Sequence, residues 1–146
     1  MRVLFDTNVI VDLLLNRRPF AEAAAGLAAR VERGSLAGVL CATTITTVHY
    51  LVAKAAGSGA ARTELRKLLD LFEVAPVTRA VVESAFDQRI EDFEDAVIHE
   101  AAREASVEAI VTRDLRDFAG AELPVYGPAE LLSVLRAGAE GPGSSR

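Results

Sequence analysis

Asp6 directly follows the apolar run Val3-Leu4-Phe5, Asp92 and Asp95 stand three residues apart, and Asp114 and Asp117 follow the run Ala109-Ile110-Val111-Thr112. Carboxylates brought from distant parts of a chain to one place repel each other unless a cation or a function compensates. Sparse aspartates without Cys or His suit a hard cation such as Mg²⁺, which binds through one or two carboxylates, water and substrate phosphate. The matching chemistry is hydrolysis of a phosphodiester by a metal-activated water. Each acid also has a plain structural alternative. Asp6 can be a helix N-cap, Asp92 and Asp95 can serve a helix dipole from its first turn, and Asp114 and Asp117 can be solvated turn residues.

The elements that must position these acids alternate along the chain. Met1 to Phe5 reads as a buried strand, and Asp6-Thr7-Asn8 breaks it before the helical run Val9 to Leu15. Phe20 to Arg33 reads as a second, Ala-rich helix closed by Gly34. Ala37 to Ala42 is apolar and of strand length, and about Thr47 to Ala56 is helical. Gly57-Ser58-Gly59 marks a break before a helix over Arg62 to Leu71, and Glu73 to Val77 is extended. A helix from Thr78 and another over Asp92 to Ala105 precede the strand Ala109 to Thr112. Leu123 to Tyr126 gives a last edge strand, and Pro128 to Ala137 a closing helix with Pro in its first turn. The expectation is an α/β three-layer sandwich with a mainly parallel central sheet, one domain over 1–137, and a loose tail over 138–146. In such a sheet ligands bind outside the carboxyl ends of the strands, where Asp6 and Asp114 fall.

A 146-residue chain of this kind buries roughly 68–70% of its unfolded surface and needs no staples. Its 51% hydrophobic content with 5% aromatic and no Trp describes a core of Ala, Val, Leu and Ile. The lone Cys41 sits inside an apolar run and has no internal partner, which suits a reducing compartment. No stretch reads as a membrane span, so a cytoplasmic protein is expected. A net charge of −5 argues against broad nonspecific binding to nucleic acid. Phosphate contacts would then fall to local clusters: Arg17-Arg18, the face of Arg62, Arg66 and Lys67, and Arg113 with Arg116 beside Asp114. Gly57-Ser58-Gly59 follows a helix rather than a strand, and no phosphate loop or dinucleotide fingerprint is present.

Three stretches together resemble the PIN-domain nucleases, which include the VapC-type toxins of toxin–antitoxin pairs. They are Val3-Leu4-Phe5-Asp6-Thr7-Asn8-Val9, Asp92-Phe93-Glu94-Asp95-Ala96 and Val111-Thr112-Arg113-Asp114-Leu115-Arg116-Asp117-Phe118, and the likeness runs from Met1 to about Leu135. The resemblance implies that Asp6, Asp95 and Asp114 are catalytic and hold Mg²⁺ or Mn²⁺, with Asp117 as a further acid. Asn8, Asp92 and Thr112 would support them. It also implies a ribonuclease, a homodimer and a small antitoxin partner.

One departure stands out. The family places a Glu on the helix after the second strand, and Thr44-Ile45-Thr46-Thr47-Val48-His49-Tyr50 contains none. His49 is a poor ligand for Mg²⁺. His99, four residues after Asp95, reads as a core residue beneath the pocket or as a partner of that acid. Tyr50 is a candidate for stacking on an RNA base, with a buried aromatic as its alternative. The missing Glu leaves a second function open, a catalytically weak or silent module that binds RNA or a partner protein. A phosphotransfer reading with Asp6 as nucleophile ranks last, because Asn8 stands where a second Asp would be wanted.

Overall fold

The computed structural model describes residues 1–139. Five strands, β1 (Arg2–Phe5), β2 (Ala37–Cys41), β3 (Glu73–Ala75), β4 (Ala109–Val111) and β5 (Val125–Tyr126), form one sheet in the order β3-β2-β1-β4-β5. Every pairing in it is parallel, β5 included. The chain thus builds outward from β1 through β2 to β3, then returns to place β4 on the other side of β1. The order in which strands are added reverses between β1 and β4, and that is where an open α/β sheet leaves a crevice for a ligand.

The period-2 alternation of β1 decides how the two faces are covered. Val3 and Phe5 point into one core with α1 (Thr7–Leu14), α2 (Ala21–Glu32), α3 (Ala42–Ala56), α4 (Ser58–Leu71) and α7 (Pro128–Ala139). Leu4 points into the other, shared with α5 (Arg79–Ala85) and α6 (Phe93–Glu104). The result is the expected three-layer sandwich. One close approach depends on a missing side chain: the Phe72 ring lies over Gly38 of β2, where a Cβ would stand 2.5 Å from its Cε2. Phe72 in turn meets the edge of Phe5, with ring centroids 5.0 Å apart.

Several boundaries differ from the sequence expectation for local reasons. The third helix begins at Ala42, directly off β2, so its β-branched Thr43 and Thr44 are helical rather than a connector. In the Gly57-Ser58-Gly59 segment only Gly57 breaks the helix, with φ of +97°, and α4 starts at Ser58. Asp92 lies outside α6 in an extended conformation and caps it, where a position inside the helix was expected. The closing helix runs to Ala139, two residues beyond the expected boundary, and the rest of the expected tail, 140–146, lies outside the described residues. No helix among the described residues is long and apolar enough to cross a membrane.

Candidate functional site

Asp6 is the first residue past β1 and the N-cap of α1: its Oδ1 accepts from Thr7 N at 2.9 Å. The capping alternative is therefore real, and it does not exhaust the side chain. Its Oδ2 accepts from Thr112 Oγ1 at 2.8 Å, and its own N–H donates to Val111 O at 2.9 Å. The parallel register sets Phe5 beside Val111, so Asp6 and Thr112 leave the two central strands side by side.

Thr112 is fully buried and its hydroxyl is saturated. It gives its one proton to Asp6 and accepts from Asn8 Nδ2 at 3.3 Å and from Asp114 N at 3.1 Å. Because a hydroxyl has one donor and two acceptor sites, this pattern holds Asp6 Oδ2 as an acceptor. Asn8 completes the tie. Its Nδ2 also donates to Asp114 Oδ2 at 3.1 Å, and its Oδ1 accepts from Arg113 N at 3.2 Å. One turn of α1 thereby holds both Asp6 and Asp114.

Asp95 enters from the opposite layer, one turn into α6, with its N–H held by the Asp92 carboxylate at 3.1 Å. Asp6, Asn8, Asp92, Glu94 and Asp95 line one cleft of about 310 Å³ together with Arg17 and Leu51. Partial burial pushes the Asp95 carboxyl up to about 7, with further contributions from the charges of Asp6, Asp92, Asp117 and Glu94. Asp6 is also raised. Burial is the main cause, the Thr112 and Thr7 hydrogen bonds oppose it, and Asp117 and Asp114 add repulsion. Asp6 is thus linked by charge to Asp114 and Asp117, and Asp6 and Asp117 in turn act on Asp95. A separate hollow of about 470 Å³ near Asn16, Arg18 and Glu22 is larger, but no cluster of acids converges on it.

The donors on these walls are carboxylate, amide and hydroxyl oxygens, the set a hard divalent cation prefers. Among the described residues no group of three or more His, Cys, Asp or Glu side chains is placed to hold a metal ion by itself. Mg²⁺ does not require one, since it keeps several waters and takes one or two carboxylates. The site fits such an ion by donor type and by the repulsion that a cation relieves.

The remaining expected residues are less uniform. Arg113 was expected to reach nucleic acid, yet its guanidinium grips Asp12 through Nε at 2.8 Å and a second nitrogen at 3.3 Å, and stacks on Phe20 at 4.2 Å. Asp12 is 1% exposed and was missed. The signal was present: a single acid within an apolar helical run needs a buried partner. Arg116 lies on a second cleft with Glu91, Asp92 and Asp117. Tyr50 is exposed on α3, not buried, with Lys54 Nζ 6.0 Å from its ring centre. His99 is core. Its Nε2 accepts from the N–H groups of Glu122 and Leu123, so its proton sits on Nδ1 and faces Glu100.

Comparison with protein families matches residues 2–116 to the PIN domain. The chain belongs to the PIN domain family. Solved structures agree in fold. A toxin–antitoxin complex from Klebsiella pneumoniae has a chain 26% identical to this PIN domain with a TM-score of 0.66, covering 86% of this chain and 97% of that one. VapBC2 from Rickettsia felis, bound to a promoter DNA fragment, is 16% identical with a TM-score of 0.64, over 86% and 97% of the two chains. VapC20 from Mycobacterium tuberculosis, a toxin that cleaves the sarcin–ricin loop, is 19% identical with a TM-score of 0.59, over 74% and 86%. No curated protein matches the chain.

Proposed function

We propose that this PIN domain is a Mg²⁺- or Mn²⁺-dependent endoribonuclease acting in the cytoplasm as the toxin of a toxin–antitoxin pair. The observation that carries the reading is that acids from distant segments act on one another beside the ends of β1 and β4: besides burial, Asp117 and Asp114 add to the rise of Asp6, and Asp6 and Asp117 add to that of Asp95. RNA as substrate and an antitoxin as partner are supported by what the VapC20 and Klebsiella neighbours do or assemble with. A homodimer is proposed on family resemblance.

In this reading Asp6, at the end of the central strand β1, and Asp95, on α6, would hold a divalent ion. Asp114, held by Asn8, and Asp117 complete the negative wall. The ion, when bound, activates a water and offsets charge on the phosphoryl oxygens. Thr112 keeps Asp6 oriented with both oxygens committed as acceptors. Burial, reinforced by the charges of Asp6, Asp92, Asp117 and Glu94, favours the protonated Asp95 carboxyl in the metal-free protein, and that proton must leave before the group can act as a ligand, so activity should rise with pH towards neutrality.

Asp6→Asn and Asp95→Asn should each lower cleavage of a single-stranded RNA by on the order of a hundredfold or more, the scale seen when a charge-stabilising group is removed. Circular dichroism should show both variants folded. Undiminished cleavage by either, or by the wild type in excess EDTA, would sink the proposal. The absence of any carboxylate over Thr44 to Tyr50 of α3 favours a second reading, a silent RNA- or protein-binding module. RNA binding with no metal-dependent cleavage across varied RNAs would select it.

A further inference from the structure

We propose that Arg17 and Arg116, rather than Arg113, are the phosphate-binding residues of this site, gripping a single-stranded RNA backbone on either side of the acids. The inference rests on the ribonuclease reading above.

Two clefts meet at Asp92. The first contains Asp6, Asp92, Asp95 and Arg17, and the second, about 380 Å³, contains Glu91, Asp92, Asp117 and Arg116. Each has one cationic lining residue. Arg17 and Arg116 are exposed, and among the described residues neither guanidinium has an ion-pair or hydrogen-bond partner, although acids line the same walls. Arg2, Arg79, Arg103 and Arg113 are engaged by Glu73, Glu83, Glu100 with Glu122, and Asp12, whereas other arginines without an ion-pair partner, such as Arg62 and Arg66 on α4, line neither cleft.

The backbone at both positions is held in place. Arg17 N–H donates to Asp12 O at 3.0 Å and its carbonyl accepts from Ala21 N at 2.7 Å. Arg116 lies in a 3-10 turn, Leu115–Phe118, pinned by the buried Phe118, and its carbonyl accepts from Ala119 N at 3.1 Å. Fixed anchors lower the ordering cost of binding. An acid-lined crevice repels a polyanion, so a phosphodiester can lie over it only if its neighbours along the strand are held by cations. A guanidinium at each end supplies that grip through charge-assisted bonds to phosphate oxygens, without reading the bases.

The test is fluorescence anisotropy of a short labelled oligouridylate with Ca²⁺ present, over a KCl series, with RNA integrity checked on a gel. Arg17→Gln and Arg116→Gln should each flatten the slope of log affinity against log salt by about 0.7, and the double variant by about 1.4, the single-strand value per lost phosphate contact. Arg17→Lys and Arg116→Lys should keep the slope, and all four single variants should melt with the wild type. Slopes within error of the wild type in both Gln variants overturn the proposal. Cleavage of the same RNA in Mg²⁺ is measured alongside. Cleavage with unaltered slopes overturns the arginine assignment alone, arginine-dependent slopes without cleavage overturn the nuclease reading alone, and neither binding nor cleavage overturns both.

Discussion

Asp95 shows most directly how the site trades stability for readiness. Its carboxyl titrates near 3.8 in an unfolded chain and about 7 in the fold. Between those values the unfolded state has lost the proton and the folded state retains it, so stability falls as pH rises through that window and levels off above it. Urea titrations of metal-free protein should show this decline between about pH 4 and pH 7, with Asp95→Asn flattening it. An equally steep decline in the variant would place the cause elsewhere. At this scale the sequence was readable in part. The types and places of the acids could be seen because strand ends display them, whereas the bond network of Asn8 and Thr112 depends on a register between residues some hundred positions apart. Arg113 misled because proximity to Asp114 in sequence says nothing about where a long side chain turns.

Pairs of elements explain what single residues do not. The Asp12–Arg113 bridge ties α1 to the segment that follows β4, and the Arg113 N–H to Asn8 ties it a second time. Arg113→Ala leaves Asp12 buried and unpaired, and should cost about 3–5 kcal/mol in chemical denaturation. A loss under about 1 kcal/mol would show that Asp12 finds another partner or takes up a proton. Gly38→Ala probes a different junction, where β2 passes under Phe72; overpacking there should cost about 1–3 kcal/mol. Element order was legible from the alternation of apolar runs and breakers. Helix starts were less so: α3 and α4 both begin several residues early, because a strand feeding directly into a helix, or a single Gly, leaves little compositional trace. Asp92 was misread by one position, and that position separates a cap from a helical side chain.

For the molecule as a whole, a cation that binds only the folded state must stabilise it. At a concentration about ten times its Kd, Mg²⁺ or Mn²⁺ should add about 1.4 kcal/mol, a rise in Tm of roughly 4–5 °C for a chain of this length. The shift should shrink below pH 7 as protons compete at Asp95, and Asp6→Asn should abolish it. No shift at millimolar metal would argue against a cation at this crevice. The three-layer parallel architecture was visible from the sequence because helices and strands alternate throughout. The strand order was not, since no local pattern says that β4 will return to the side of β1 instead of extending the sheet beyond β3.

That return has a temporal consequence. β4, which leads into Thr112 and Asp114, is synthesised about a hundred residues after its neighbour β1, behind three strands and six helices. A nascent chain can assemble most of its hydrophobic interior while Asp6 still lacks its partners from the far end. The acid cluster is complete only once the segment after β4 is in place, so a fragment ending before β4 would carry Asp6 without Thr112, Asp114 or Asp117.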